Sequence, residues 1–136
     1  MKVFVSYAIT GEYVEQVVDR LAQVRDTVTA CGHEVYCFHF DPARREDMTE
    51  TECIHHALGK LPENDALLVL GTSERRSEGM LMEVGSALTH GKRLVYAQHD
   101  SAVGKTYLPS LADYTFVWRT EQELLSRIRE YFGRGI

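Results

Sequence analysis

The run Asp65-Ala66-Leu67-Leu68-Val69-Leu70 constrains the fold more than any other stretch of the chain. It follows a turn, is apolar almost throughout and has the length of a strand, the mark of a central strand covered on both faces. Such cover comes from helices packed on either side of a sheet.

The remaining sequence supplies the other strands and the helices. Lys2 to Ser6 is a β-rich run, and Tyr7 to Glu12 break it with small and polar residues. From Tyr13 to Ala30, Val14, Val17, Val18, Leu21, Val24, Arg25 and Val28 recur mostly three and four apart, an amphipathic helix closed by Gly32. Glu34 to Phe40 alternates and is rich in aromatic and β-branched residues, a second strand, and Asp41 to Asp47 is polar loop. Met48 to Leu61 reads as a helix, with Thr49, Glu50 and Glu52 giving the cap and first-turn acids. Cys53, Ile54, Ala57, Leu58 and Leu61 form its buried stripe, and Pro62 ends it.

After the central strand comes a helix over Ser77 to Lys92, a fourth strand from Arg93 to Gln98 and a loop from His99 to about Asp113. A fifth strand, Tyr114 to Trp118, leads into a last helix, Glu121 to Phe132, with Leu124, Leu125, Ile128, Tyr131 and Phe132 on its inner face. Strands alternating with helices imply right-handed crossovers and a parallel sheet. The expectation is one doubly wound α/β domain over residues 1–136, flavodoxin-like, with five parallel strands in the order 2-1-3-4-5 and helices on both faces. Ligands in such sheets bind outside the carboxyl ends of the strands, here at the switch point between strands one and three. That puts the 6–11 loop opposite the turn and helix at 77–83.

Glu83 is the candidate catalytic residue. Met80, Val84, Ala87 and Leu88 form an apolar stripe that includes position 83, and a carboxylate facing a core is costly unless it is paired, hydrogen-bonded or protonated. The plain alternative is a helix-edge glutamate that reaches back to water. At the start of the same helix, Ser77 is a good N-cap and Gly79 leaves backbone amides uncovered, the makings of an anion seat, with Arg75-Arg76 just before it. A phosphate seat close to an inward carboxylate suits a ligand with a phosphate at one end and a bond to be cleaved at the other.

Composition narrows the partners. Fifteen Lys and Arg against 20 Asp and Glu give a net charge of -5, which argues against non-specific nucleic-acid or anionic-membrane binding. Cys31, Cys37 and Cys53 are odd in number and lack CxxC spacing, so the expectation is reduced thiols in the cytoplasm, with no disulfide framework and no metal site. No run approaches the roughly 20 apolar residues that span a bilayer. No cofactor is expected. Asp41 and Asp65 read as structural acids of a loop and a strand end.

The pattern Ser77-x-Gly79-Met80-x-x-Glu83-x-Gly85-x-Ala87-x-x-x-Gly91-Lys92 resembles the signature of the nucleoside 2-deoxyribosyltransferase family, including the deoxynucleoside 5′-monophosphate N-glycosidases. The resemblance implies that Glu83 is the nucleophile or charge stabiliser at C1′ of a deoxyribose. It implies that Ser77 and Gly79, with the amide of Met80, hold the 5′-phosphate, while Ser6, Tyr7, Ile9 and Gly11 form the opposite wall. It also implies a homodimer or higher homo-oligomer, with the 99–113 loop over a neighbouring subunit's site, acting on a nucleoside or nucleotide. Two positions depart from the family pattern. Phe4 stands where a tyrosine hydroxyl commonly orients the glutamate, and Ala57 stands at or near the place of an acid close to the leaving base. His56, beside it, is the candidate general acid, with a solvated or structural histidine as the alternative.

Two other readings compete. Phe4-Val5-Ser6-Tyr7 also looks like the first strand of Toll/interleukin-receptor-type domains, some of which cleave NAD. The third reading is a nucleotide-binding module without catalysis.

Overall fold

β3, Ala66–Leu70, is buried at every position, with Leu67 and Leu68 wholly out of solvent. The computed structural model, which describes residues 1–9, 13–73 and 77–134, shows why. β3 sits at the centre of a five-stranded sheet in the order β2-β1-β3-β4-β5, in which every pairing is parallel. Its neighbours are β1 (Lys2–Ser6) and β4 (Arg93–His99), and the edges are β2 (Glu34–Cys37) and β5 (Tyr114–Trp118). The chain is therefore the doubly wound α/β domain that its alternating pattern predicts.

Helices α1 (Val14–Ala30) and α5 (Glu121–Phe132) cover one face of the sheet. Val17, Leu21, Val24 and Val28 of α1 meet Leu124, Ile128 and Phe132 of α5 over Val3, Val5, Leu68 and Val95. Helices α2 (Glu50–Lys60) and α3 (Glu78–Thr89), with the single turn α4 (Leu108–Leu111), cover the other. There Phe4, Phe38, Leu67, Val69, Met80, Val84 and Tyr96 form a second core. Each fully buried Leu, Val or Phe in these layers stabilises the fold by about 1.5–3 kcal/mol.

Strand-like residues do not always make strand. Glu34 to Phe40 reads as one strand, but β2 stops at Cys37 and Phe38–Phe40 turn in a 3-10 helix that directs the chain off the sheet edge. α2 begins at Glu50 because Thr49 closes a capping box: its side chain accepts from the Glu52 amide, and the Glu52 carboxylate accepts from the Thr49 amide. Of the stripe assigned to α2, Ala57 and the following Leu61 are buried, whereas Cys53, Ile54 and Leu58 are half-buried. On α3, Leu88 is 41% exposed and lies outside the apolar stripe. The 99–113 stretch is not all loop: Asp100–Ala102 form a 3-10 turn, and in α4 Leu108 is buried beside exposed Tyr107 and Leu111.

Two glycines matter to the path. Gly32 follows the α1 cap at φ +92, a conformation that side-chain-bearing residues resist. Gly71, just past β3, lies so close to β4 that an added Cβ would come within 2.8 Å of Tyr96 Cε1. Acids also pin the strand starts, as the sequence suggested for Asp65, whose Oδ2 accepts from the Lys2 amide at 2.7 Å. Asp113 Oδ2 accepts from the Leu94 amide at the same distance.

Among the described residues, no helix is long and apolar enough to cross a membrane.

Candidate active site

Residues on one face of a strand alternate, so Phe4 and Ser6 of β1 both point toward α2 and α3. Ser6 is the last residue of β1, at the ligand-binding end of the sheet and beside the switch point. α3 lies over the same face through Met80, Val84 and Ala87, which carries Glu83 inward with them. Glu83 is 8% exposed, so it is not a helix-edge glutamate reaching for water.

Its partner is Ser6, whose Oγ donates to Glu83 Oε1 at 2.6 Å. Burial pushes the Glu83 carboxyl up from 4.5 to about 7, and the Ser6 hydroxyl pulls it back only in part. Near neutral pH the group therefore exchanges between acid and carboxylate. Phe4, the position without the family's hydroxyl, is 1% exposed and packs against the Tyr36 ring at 5.0 Å between centroids. Ser6, two residues further along the same strand face, supplies a hydroxyl to the glutamate instead.

Tyr7 is half-buried and touches both cores. Its phenol is raised well above its ordinary value, by burial first and then by Cys37, with Glu83 adding to the effect and Arg44 opposing it. Tyr7 therefore lies within electrostatic reach of the glutamate. Ile9 is 42% exposed beyond it. Gly11 and the Arg75-Arg76 pair fall outside the described residues.

Ser77 is the N-cap of α3 and its Oγ accepts from the Met80 amide at 3.1 Å. The Met80 amide is thus already engaged, and the first-turn donors that remain are the amides of Glu78 and Gly79, together with the Ser77 hydroxyl proton. Gly79 also has a packing role, since an added Cβ would meet Ile54 Cδ1 of α2 at 3.6 Å.

The structure adds Asp41, a residue whose place in the sequence reads as that of a structural loop acid. It follows the 3-10 turn after β2 and reaches His56 on α2: His56 Nε2 lies 2.8 Å from Asp41 Oδ2. Tyr36 Oη donates to the same oxygen at 2.7 Å. Only the position of Asp41, just past the carboxyl end of a strand, could have flagged it. A cavity of about 270 Å³ opens on the outer side of β2 against Tyr36, Cys37, Asp41 and Lys60. Neither Ser6 nor Glu83 lines it. Among the described residues no cluster of His, Cys, Asp and Glu could hold a metal ion, and the three cysteines carry free thiols.

No protein-family model and no curated protein matches the sequence. Solved structures match the fold. A CMP N-glycosidase from Clostridium botulinum aligns with a TM-score of 0.73 at 20% identity, over 96% of this chain and 99% of that one. A 2-deoxyribosyltransferase from Bacillus psychrosaccharolyticus aligns at 0.63 and 14% identity, over 92% and 90%. A flavoenzyme NAD(P)H:acceptor oxidoreductase from Paracoccus denitrificans aligns at 0.54 and 12% identity, over 96% and 94%. At these identities the likeness is one of fold. The first two are named for reactions of the family that residues 77–92 resemble.

Proposed function

We propose that the chain breaks the N-glycosidic bond of a nucleoside or nucleoside 5′-monophosphate and passes the sugar to water or to a second base. The observation that carries this reading is the buried Glu83 carboxyl, bonded to Ser6 at the ligand-binding end of the sheet. Glycosidic cleavage develops positive charge at the anomeric carbon, and a carboxylate held there stabilises that charge or captures it as a glycosyl ester. A carboxyl at about 7 is present in part as the carboxylate near neutral pH, and positive charge developing beside it favours that ionised form. Ser77 and the amides of Glu78 and Gly79 are the proposed seat for the 5′-phosphate, with Ser6, Tyr7 and Ile9 opposite.

The sequence resemblance supports the substrate class, and the glycosidase and transferase that share the fold support the bond broken. Exposed Tyr107 and Leu111 support assembly as a homodimer, which light scattering checks.

Chromatography of the protein with deoxyribo- and ribonucleotides, their nucleosides and NAD, each with and without a second free base, tests the proposal. Free base released from a nucleotide, and lost in Glu83→Ala, is the expected result. A new nucleoside would mark transfer. Nicotinamide release alone would favour an NAD-cleaving domain, and binding without any turnover would leave a non-catalytic module.

A further inference from the structure

The family resemblance expects an acid near position 57 of α2, and the chain has Ala57 there, 4% exposed in the core. One residue earlier stands His56, half-buried, with its ring edge-on to Phe38. Its Nε2 lies 2.8 Å from Asp41 Oδ2, the oxygen that also receives the Tyr36 hydroxyl. Asp41 Oδ1 accepts from the Ala43 amide at 2.8 Å. Three donors therefore converge on a carboxylate whose side chain is only 7% exposed.

That convergence fixes the proton on His56. Burial alone would raise the Asp41 carboxyl, but the Ala43 amide, the Tyr36 hydroxyl and His56 outweigh it and hold the group at about 2. An ionised carboxylate only accepts, so His56 Nε2 carries a hydrogen and Nδ1 is the ring nitrogen left to face a ligand. Nδ1 has no hydrogen-bond partner among the described residues. A merely solvated histidine would not need a buried, fully bonded anion to set its ring.

The arrangement also sits on the right face. Tyr36 pairs in register with Phe4, and Phe4 and Ser6 share the sheet face on which Glu83 stands. Tyr7 links the two groups electrostatically, since its phenol feels Glu83 and in turn acts on Tyr36.

We propose that His56 is the proton donor to the leaving base, with Asp41 and Tyr36 as the residues that position it. The inference rests on the glycosidic reading above. As the C1′–N bond breaks, its electron pair passes to the base, and the His56 Nδ1 proton goes to the base. The sugar carbon bonds to a Glu83 oxygen. Water then attacks C1′, gives its proton back to His56, and the ester electron pair returns to Glu83, so that base and sugar leave and both side chains are restored.

Two substrates separate this role from a structural one: a deoxynucleoside 5′-monophosphate, and 4-nitrophenyl 2-deoxyriboside 5-phosphate, whose phenolate leaves without needing a proton. His56→Gln should slow the nucleotide about 100-fold and the nitrophenyl substrate less than about threefold. Asp41→Asn should show the same selectivity at about tenfold and add nothing to His56→Gln when combined with it. Tyr36→Phe keeps the ring against Phe4 and gives a weaker version of the same pattern, should either of the other variants fail to fold. Equal slowing of both substrates overturns the assignment. Glu83→Gln must slow both; if it slows neither, the glycosidic reading itself falls, a result distinct from loss of the His56 role alone.

Discussion

Ser6 Oγ and Glu83 Oε1 meet at 2.6 Å across a separation of 77 residues, joining the end of the first strand to the second turn of α3. The bond holds the glutamate in one orientation over the switch point of the sheet. It also favours the ionised carboxyl, against the burial that favours the neutral one.

Ser6→Ala removes the hydrogen bond that opposes burial at Glu83 and so raises its pKa further. If Glu83 must be ionised to act, activity rises with pH on the acidic side, with a midpoint near the wild-type value of about 7. The pH profile of kcat/KM should shift upward by about one unit in Ser6→Ala, the size expected for loss of one hydrogen bond to a charged group. An unmoved acidic limb would separate Ser6 from the ionisation of Glu83.

Stability should carry the same signature with the opposite slope. Below 4.5 Glu83 is protonated whether the chain is folded or not. Between 4.5 and about 7 the unfolded chain releases that proton and the folded chain keeps it, so stability falls as pH rises and levels off above 7. The wild type should therefore lose about 2 kcal/mol more than Glu83→Gln between about pH 5 and pH 8 in urea unfolding. Parallel curves for the two proteins would mean that the carboxyl titrates normally.

Ser77→Ala removes the α3 cap, which costs about 1 kcal/mol of stability, and a hydroxyl proton from the proposed phosphate seat. KM for a 5′-monophosphate should rise about tenfold, and KM for the matching nucleoside less than about twofold. Equal rises would place the phosphate elsewhere.

Gly71→Ala tests the packing between strand and site. The new Cβ would meet the Tyr96 ring at 2.8 Å and the Ala97 carbonyl oxygen at 3.2 Å, so the destabilisation should be about 1–3 kcal/mol, read as a lower Tm. Tyr96→Leu in the same chain should recover part of it.

Much of this fold is local and can be read from sequence. β3 is one uninterrupted apolar run, and β5 and α5 fall where their patterns place them, because periodicity and caps act over a few residues. The end of β2 is misread because Phe38, His39 and Phe40 keep strand-like composition while the chain leaves the sheet. Arg20 shows the limit of periodicity. It is 8% exposed on the inner side of α1 because Glu121, a hundred residues on, takes its guanidinium at 2.6 Å and Trp118 lies beneath it. Glu83 was legible for a related reason, as a charge in an apolar stripe. Its bond to Ser6 and the bond of His56 to Asp41 were not, since each joins segments that only the folded sheet brings together.

Among the described residues Glu83 faces no cationic side chain; Ser6 is its one hydrogen-bonded partner. Among those residues the glutamate is thus half of an ion pair, and on the proposed chemistry the other half is a sugar that is positive only in passing. A lasting mimic of that sugar, an iminoribitol with a protonated ring nitrogen, completes the pair. It should bind more tightly than the neutral nucleoside and should drive the proton off Glu83 as it binds, a release that calorimetry in buffers of different ionisation heat would count directly.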